Sequence, residues 1–240
     1  MVHIIQNNGN LKFHSRHPVL ADIGKTFASY NFAKLPEKEV NIYIGVHNFK
    51  KYRLRKGLNI GIQTEQFLDV NGKTLWRNAS RLKILRQVSQ YKMILDLAPS
   101  NQPAYEFLPN FLKNRVIYGP DIFPECDISF QPSTKQEIVF FGAKNLRRSQ
   151  IIKSIANTQK IRLLENGTFG ELLSSHIKES PGILNIHYDD GVYTEVPRLV
   201  TAYLHGKPIF SEELAGPLVM GKHYLPIDSA FDVSITKQVF

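Results

Sequence analysis

Short apolar runs recur at nearly constant spacing along the second half of the chain. They begin at Ile138, Ile161, Ile183 and Pro208, roughly 22 to 25 residues apart, and charged and polar residues fill the turns between them. A helical period occupies most of the intervals, as units of strand, helix and parallel strand require. This pattern predicts a parallel sheet, and ligands of such sheets bind beyond the carboxyl ends of the strands.

The first half has a less regular pattern of strand-like and helical segments. Residues 10–18 are predicted to be a loop, which contains His14, Arg16 and His17. The helical period predicts helices at Leu20–Tyr30 and Leu75–Gln90. The apolar runs predict strands at Val2–Gln6, Asn41–Val46, Leu58–Ile62, Met93–Leu97 and Arg115–Tyr118.

A proline-marked segment separates the two halves. Repeated prolines and short polar residues between Gly119 and Thr134 disfavour regular structure and indicate a crossing from one unit to the next. The predicted fold class is α/β, with one unit at residues 1–130 and a second at residues 131–240. Each unit is expected to hold a parallel sheet with helices on both faces.

The turn after the first apolar run of the second half is rich in basic residues. Asn145 is a predicted N-cap, and a buried stripe is expected at Leu146, Ile151, Ile152 and Ile155. Arg147 and Arg148 then fall in the first turn, where the helix dipole disfavours cations. An anion held over the helix start would explain them, and two solvated arginines are the alternative.

The turn after the third run precedes another predicted helix. Thr194 is its predicted cap, Glu195 its first residue, and Gly206 its end. Glu195 either complements the helix dipole or accepts both hydroxyls of a ribose. Arg198, one turn later, either orients Glu195 or contacts a phosphate, and His187 is either a core histidine or a site residue.

Five segments share their order and spacing with a known protein family over about 75 residues: Phe140–Arg148, Phe169–Leu173, Ile183–Tyr188, Glu195–Leu199 and Gly206–Glu212. They resemble the carboxy-terminal domain of GT-B glycosyltransferases, in particular the family-1-like group that includes spore-maturation-type proteins. Gly61–Gln66 and Ile94–Asn101 resemble the first lobe of the same group more weakly.

The resemblance implies two Rossmann-like lobes, with an acceptor-side lobe first and a nucleotide-sugar lobe second. Glu195 would contact the ribose and Arg198 the region between ribose and diphosphate, while residues 187–190 would line the sugar end. Arginines and a helix dipole can neutralise a leaving diphosphate, so neither a metal nor a further cofactor is expected. The donor-binding residues implied in this way are Asn145, Arg147, Arg148, His187, Tyr188, Asp189, Glu195 and Arg198.

An inverting transfer needs a general base beside the acceptor hydroxyl, whereas a retaining one relies on the leaving diphosphate. Glu65 is the favoured candidate base because it follows the predicted strand Leu58–Ile62, and Asp96 and His17 are the next candidates. Each has a structural alternative: Glu65 as a helix cap, Asp96 as a residue that holds a loop, and His17 as an exposed side chain.

Composition limits the cellular compartment and the kinds of site expected for the protein. The only cysteine is Cys126, so the chain has neither an internal disulfide nor a cysteine-rich zinc site, which favours a reducing compartment. No signal peptide and no apolar run near the ~20 residues of a membrane span are visible. The expected location is the cytoplasm, either free or at the inner face of the membrane.

The net charge of +9 calls for an anionic partner or a solvated basic surface. Part of the charge lies in the run Lys50–Lys56, where basic and aromatic residues alternate. A solvated loop, an anionic substrate or membrane surface, and nucleic acid all fit this run, and nucleic acid fits least well.

The sequence therefore predicts an enzyme that transfers a sugar from a nucleotide-diphosphate donor to an unknown acceptor, which is a glycan, a lipid-linked molecule or a protein. An epimerase or hydrolase of nucleotide sugars with the same fold is one alternative. A degenerate GT-B-like module that binds a nucleotide or nucleic acid is the other.

Overall fold

The computed structural model describes residues 3–49, 54–75, 80–119 and 128–229. The protein is α/β, and parallel strands dominate its sheets. It forms two compact units, one comprising Met1–Cys126 with Glu195–Pro197 and the other comprising Asp127–Thr194 with Arg198–Phe240. Within the described ranges, no helix is long and apolar enough to cross a membrane.

The first unit is built on a sheet whose six strands lie side by side in chain order. The first two strands form an antiparallel pair, and every later neighbour is parallel. The strands are β1 (Ile4–Asn8), β2 (Leu11–Ser15), β3 (Val40–Ile44), β4 (Leu58–Gln63), β5 (Met93–Asp96) and β6 (Val116–Tyr118). The helices are α1 (Pro18–Ser29), α2 (Arg81–Gln90) and α3 (Asn110–Lys113), with 3-10 helices at Val46–Asn48 and Pro99–Tyr105.

The second unit holds a five-stranded parallel sheet in the order β11-β10-β9-β7-β8. From β7 the chain proceeds to β8 on one side and then returns to β9 on the other, so the strand order reverses between β7 and β9. The strands are β7 (Ile138–Phe140), β8 (Ile161–Leu163), β9 (Ile183–Asn185), β10 (Ile209–Ser211) and β11 (Leu225–Pro226). The helices are α4 (Leu146–Ile155), α5 (Gly170–Glu179) and α6 (Val196–Leu204).

Each sheet has its own hydrophobic core. Tyr43, Tyr91 and Tyr105 are fully buried in the first core, where they pack with Phe67 and aliphatic residues of α2 and β5. In the second, strand residues such as Phe140 and Phe210 pack against Ile152 and Ile155 of α4. Burial of each such side chain contributes about 1.5–3 kcal/mol to the free energy of unfolding.

The structure confirms the predicted start of α4 and the predicted end of α6. Asn145 caps α4, since its Oδ1 accepts a hydrogen bond from the Arg148 amide (2.8 Å). Gly206 ends α6 with a φ of 62°. The amide of Gly206 donates to the Tyr203 carbonyl (2.9 Å) and that of Lys207 to the Ala202 carbonyl (3.0 Å), as in a Schellman motif.

The predicted strands are confirmed, with ends that differ by one or two residues. The predicted loop at residues 10–18 is wrong, because it contains β2 and the start of α1. The strand was missed because polar residues in it do not look like a buried segment. His14 is nevertheless fully buried, and its Nε2 lies 2.8 Å from Asn41 Oδ1. The short strand β11 was not predicted, since two residues give no period to detect.

Two predicted features of the helices are also wrong. Helix α2 begins at Arg81 after the cap Ser80, whereas Leu75 pairs with Phe67 through a backbone hydrogen bond of 2.9 Å. Leu146 is 76% exposed, so the buried stripe of α4 starts instead at Arg148.

Candidate functional site

The start of α4 joins the turns that follow β7 and β9. Besides capping the helix, Asn145 uses its Nδ2 to donate to the Tyr188 carbonyl (2.7 Å). These two strands flank the point at which the strand order reverses. Loops at such a reversal separate and leave a crevice, which is the usual ligand site of open parallel sheets.

Arg148 lies beneath this turn and keeps 3% of its surface exposed. Its Nε donates to the Ile186 carbonyl (2.9 Å) and its Nη1 to the Ala143 carbonyl (2.8 Å). Its Cζ is 5.6 Å from the centre of the Phe140 ring and 5.2 Å from that of Tyr188. The guanidinium is thus fixed at the carboxyl end of β7 rather than solvated.

Arg198 reaches the same strand end from the first turn of α6 and is also buried. Its Nη1 donates to Asn185 Oδ1, and its Nη2 donates to the Phe141 carbonyl (3.3 Å). Asn185 is itself held by a hydrogen bond from its Nδ2 to Ser211 Oγ (2.8 Å), so β10 supports the position of Arg198 through β9.

The two buried guanidinium groups meet at Gly142, which follows β7 and has a φ of 125°. A Cβ at this position would lie 3.1 Å from Arg198 Nη2 and 3.6 Å from Arg148 Nη1. Two cations buried around one backbone position create a positive potential where the dipole of α4 is also positive. We call Arg148, Arg198 and Gly142 the arginine cluster.

Arg147 is placed differently from the other two arginines. Its guanidinium forms a bidentate ion pair with Glu212, in which Nη1 is 3.0 Å from Oε2 and Nη2 contacts Oε1. Asp190 Oδ1 lies 3.7 Å from the same Nη2. Glu212 raises the pKa of Arg147, and its carboxylate balances the charge that was expected to face a diphosphate.

His187 has a structural position. Its side chain is buried, its Nε2 is 2.9 Å from the Glu213 carbonyl, and its ring stacks on Tyr193 at 4.1 Å. Tyr188 is exposed beside Arg148, and the Asp189 amide donates to the Tyr193 hydroxyl (3.1 Å). Of the residues predicted to line the sugar end, Tyr188 and Asp190 are exposed, and Asp190 has the more accessible side chain.

Glu195 lies one residue before α6 rather than inside its first turn, because the helix begins at Val196. The predicted cap Thr194 donates from its Oγ1 to the Ala215 carbonyl (3.4 Å). Glu195 is grouped with the first unit, where its negative charge acts on Glu65.

In the first unit, ionisable residues follow three adjacent parallel strands. His17 comes two residues after β2, His47 three after β3, and Glu65 two after β4. His47 Nε2 is 3.6 Å from Glu65 Oε1 and 2.9 Å from Asn48 Nδ2. His17 caps α1, since its Nδ1 accepts from the Val19 amide (3.3 Å).

Glu65 has the protonation properties of a general base. Burial, and secondarily the charge of Glu195, raise its pKa to about 7, although its side chain remains 36% exposed. Burial lowers the pKa of His47 to about 4, with the nearby His17 acting in the same direction. His47 is therefore neutral at pH 7, so its contact with Glu65 is not an ion pair.

Asp96 is fully buried and holds its surroundings by hydrogen bonds, so it is not placed to take a proton from a substrate. Its oxygens accept from the Ala98 amide (2.9 Å), the Asn101 Nδ2 (3.1 Å) and the Tyr105 hydroxyl (2.6 Å). Burial raises its pKa to about 7 against the effect of these donors.

Sequence analysis missed His47, Asn185 and Glu212 as members of these sites. His47 directly follows a predicted strand, so the rule that ligands bind beyond strand ends would have identified it. The basic run beginning at Lys50 lies mostly outside the described residues, as does Cys126. In the described ranges, no group of three or more His, Cys, Asp or Glu side chains could hold a metal ion.

Comparison with models of known protein families found no match for this chain, and a search of curated protein sequences also found none.

Proposed function

We propose that the protein is a glycosyltransferase that takes a sugar from a nucleoside-diphosphate donor and transfers it to an acceptor hydroxyl. The observation that carries this function is the arginine cluster, in which Arg148 and Arg198 surround Gly142 beside the strand-order reversal. Buried cations at this point suit a doubly charged, multidentate anion better than an uncharged ligand.

The second unit would bind the donor. Its diphosphate would lie over Gly142 and the start of α4, where backbone N–H groups and the two guanidinium groups favour negative charge. The absent Cβ at Gly142 allows phosphate oxygens to approach the backbone.

The first unit would supply the general base. Glu65 would take the proton of the acceptor hydroxyl while the acceptor oxygen forms a bond to the anomeric carbon of the sugar. The bond from that carbon to the diphosphate would break, and the diphosphate would leave with the electron pair. Arg148 and Arg198 would stabilise the charge that develops on it, so the role needs no metal ion.

Donor binding is tested by calorimetric titration with uridine, guanosine and cytidine diphosphates. We expect one of them to bind, and Arg148→Lys and Arg198→Lys each to weaken it about tenfold, which corresponds to about 1.4 kcal/mol. Lysine keeps the positive charge but lacks the planar guanidinium that can bind a phosphate through two hydrogen bonds. Arg162→Lys is the matched control, because Arg162 lies in β8 and pairs with Glu179 at 3.3 Å.

Affinity that is unchanged in both cluster variants would refute the donor site. The thermal midpoint of each variant shows whether it is folded, and either variant alone is sufficient if the other unfolds. Donor turnover with and without glycan, lipid-linked and protein acceptors then separates a transferase from a hydrolase or epimerase, because only a transferase requires the acceptor.

A further inference from the structure

We propose that Asn101 is a positioning residue for Glu65, and that buried Asp96 acts through it. This role rests on the proposed function, in which Glu65 accepts the proton of the acceptor hydroxyl. Asn101 is fully buried in the 3-10 helix that follows β5, beside the loop that carries Glu65 after β4.

One amide group binds this loop through both its nitrogen and its oxygen. Asn101 Nδ2 donates to the carbonyl of Glu65 itself (2.9 Å). Asn101 Oδ1 accepts from the amides of Phe67 (2.5 Å) and Leu68 (3.4 Å). The backbone that directly follows the Glu65 Cα atom is therefore fixed by a single residue from a neighbouring strand end.

Asp96 and the backbone of the loop together determine which way the Asn101 amide faces. Both Asp96 oxygens lie 3.1 Å from Asn101 Nδ2, and the Glu65 carbonyl can only accept a hydrogen bond, whereas the Phe67 amide can only donate one. The nitrogen must therefore face Asp96 and Glu65, which leaves the oxygen facing Phe67. Tyr105 fixes the carboxylate in turn, since its hydroxyl donates to Asp96 Oδ2 (2.6 Å).

The side chain of Glu65 lies 3.6 Å from His47 Nε2 and remains 36% exposed. A general base works only when it lies within hydrogen-bond reach of the proton it takes, and a displacement of about 1 Å can lower the rate by about 10²-fold. This requirement is met by a loop whose backbone is fixed while the Glu65 side chain stays accessible to solvent. Asp96 and Asn101 thus act on the reaction without contact with the substrate.

The loop offers a matched control. Gln66 Nε2 donates to Ser100 Oγ (2.6 Å) and to the Leu68 carbonyl (2.9 Å), so it ties the same two segments together. None of these hydrogen bonds involves Glu65. A role of Asn101 that was merely structural would be shared by Gln66.

The test compares Asn101→Ala with Gln66→Ala in the full chain. We expect Asn101→Ala to lower kcat about 10²-fold at unchanged donor affinity. It should also lower the titration midpoint of the Glu65 carboxyl in carbon-13 NMR without any substrate, because a loosened loop admits water. Gln66→Ala should do neither at a similar loss of thermal stability. If Asn101→Ala does not fold, Tyr105→Phe should show smaller changes in the same direction.

A Glu65 titration that is the same in Asn101→Ala and the wild type would overturn the role, and so would equal effects of Gln66→Ala. The NMR measurement needs no turnover, so it tests the positioning role by itself. If Glu65→Gln retains full transfer activity, the function proposed for Glu65 fails instead, and the two failures are distinguishable.

Discussion

At the scale of single residues, the protonation of Glu65 sets a measurable pH dependence. A base must be ionised to accept a proton, and the pKa of Glu65 is raised to about 7 by burial and by Glu195. We expect kcat/KM to fall about tenfold per pH unit below pH 7 and to level off above it. His47, with a pKa of about 4, is neutral near pH 7 and does not change the pH profile of kcat/KM there.

Glu65→Gln should remove this acid limb together with most of the activity. Glu106→Gln is a suitable control, because Glu106 is an exposed carboxylate paired with Lys113 at 2.9 Å. An acid limb near pH 7 that persists in Glu65→Gln would show that another group takes the proton.

Residue identity alone predicted the location of these groups but not their surroundings. Arg147 and Arg148 are adjacent in a predicted first turn, yet one is paired with Glu212 and the other is buried among carbonyls and rings. The difference depends on which side chains β9 and β10 bring to the strand ends. Those contacts join residues about 40 to 65 positions apart, which local periodicity does not reveal.

At the scale of elements, the N-cap of α4 connects helix stability to the candidate site. Asn145→Ala removes the capping hydrogen bond and the one to the Tyr188 carbonyl, which together should cost about 1–3 kcal/mol. We expect faster amide hydrogen exchange in α4 of this variant. Ser80→Ala is the matched control on α2, where the cap is exposed and long (3.4 Å), so its effect should be smaller.

Equal exchange rates in α4 of Asn145→Ala and the wild type would show that packing alone holds the start of this helix.

The elements themselves were largely predictable, because apolar runs, caps and glycine ends are local signals. Strand β2 was not predicted because buried His14 depends on a hydrogen bond that its Nε2 donates to Asn41 Oδ1 on the neighbouring strand. The pairing that supplies such a partner is not encoded within a window of sequence.

At the scale of the whole molecule, stability against pH reflects opposing groups in the first unit. The pKa of Asp96 is raised to about 7 from 3.8, so the folded state keeps a proton that the unfolded chain releases. Its contribution to stability is complete below about pH 4 and is lost as the pH rises through 7. Four histidines act in the opposite direction, because desolvation in the folded state lowers the pKa of each, and they favour the folded state as the pH rises towards 6.5; they are His3, His14, His17 and His47.

Asp96→Asn should separate these contributions. Asparagine cannot ionise, so the free energy of unfolding of the variant should rise more steeply between pH 4 and 6.5 than that of the wild type, because the opposing contribution of Asp96 is removed while those of the histidines and of Glu65 stay the same. The measurement is urea denaturation at a series of pH values from 4 to 8. Parallel profiles would mean that Asp96 has the same pKa in the folded and unfolded chain, and the carboxyl that orients Asn101 would then be ionised throughout this range.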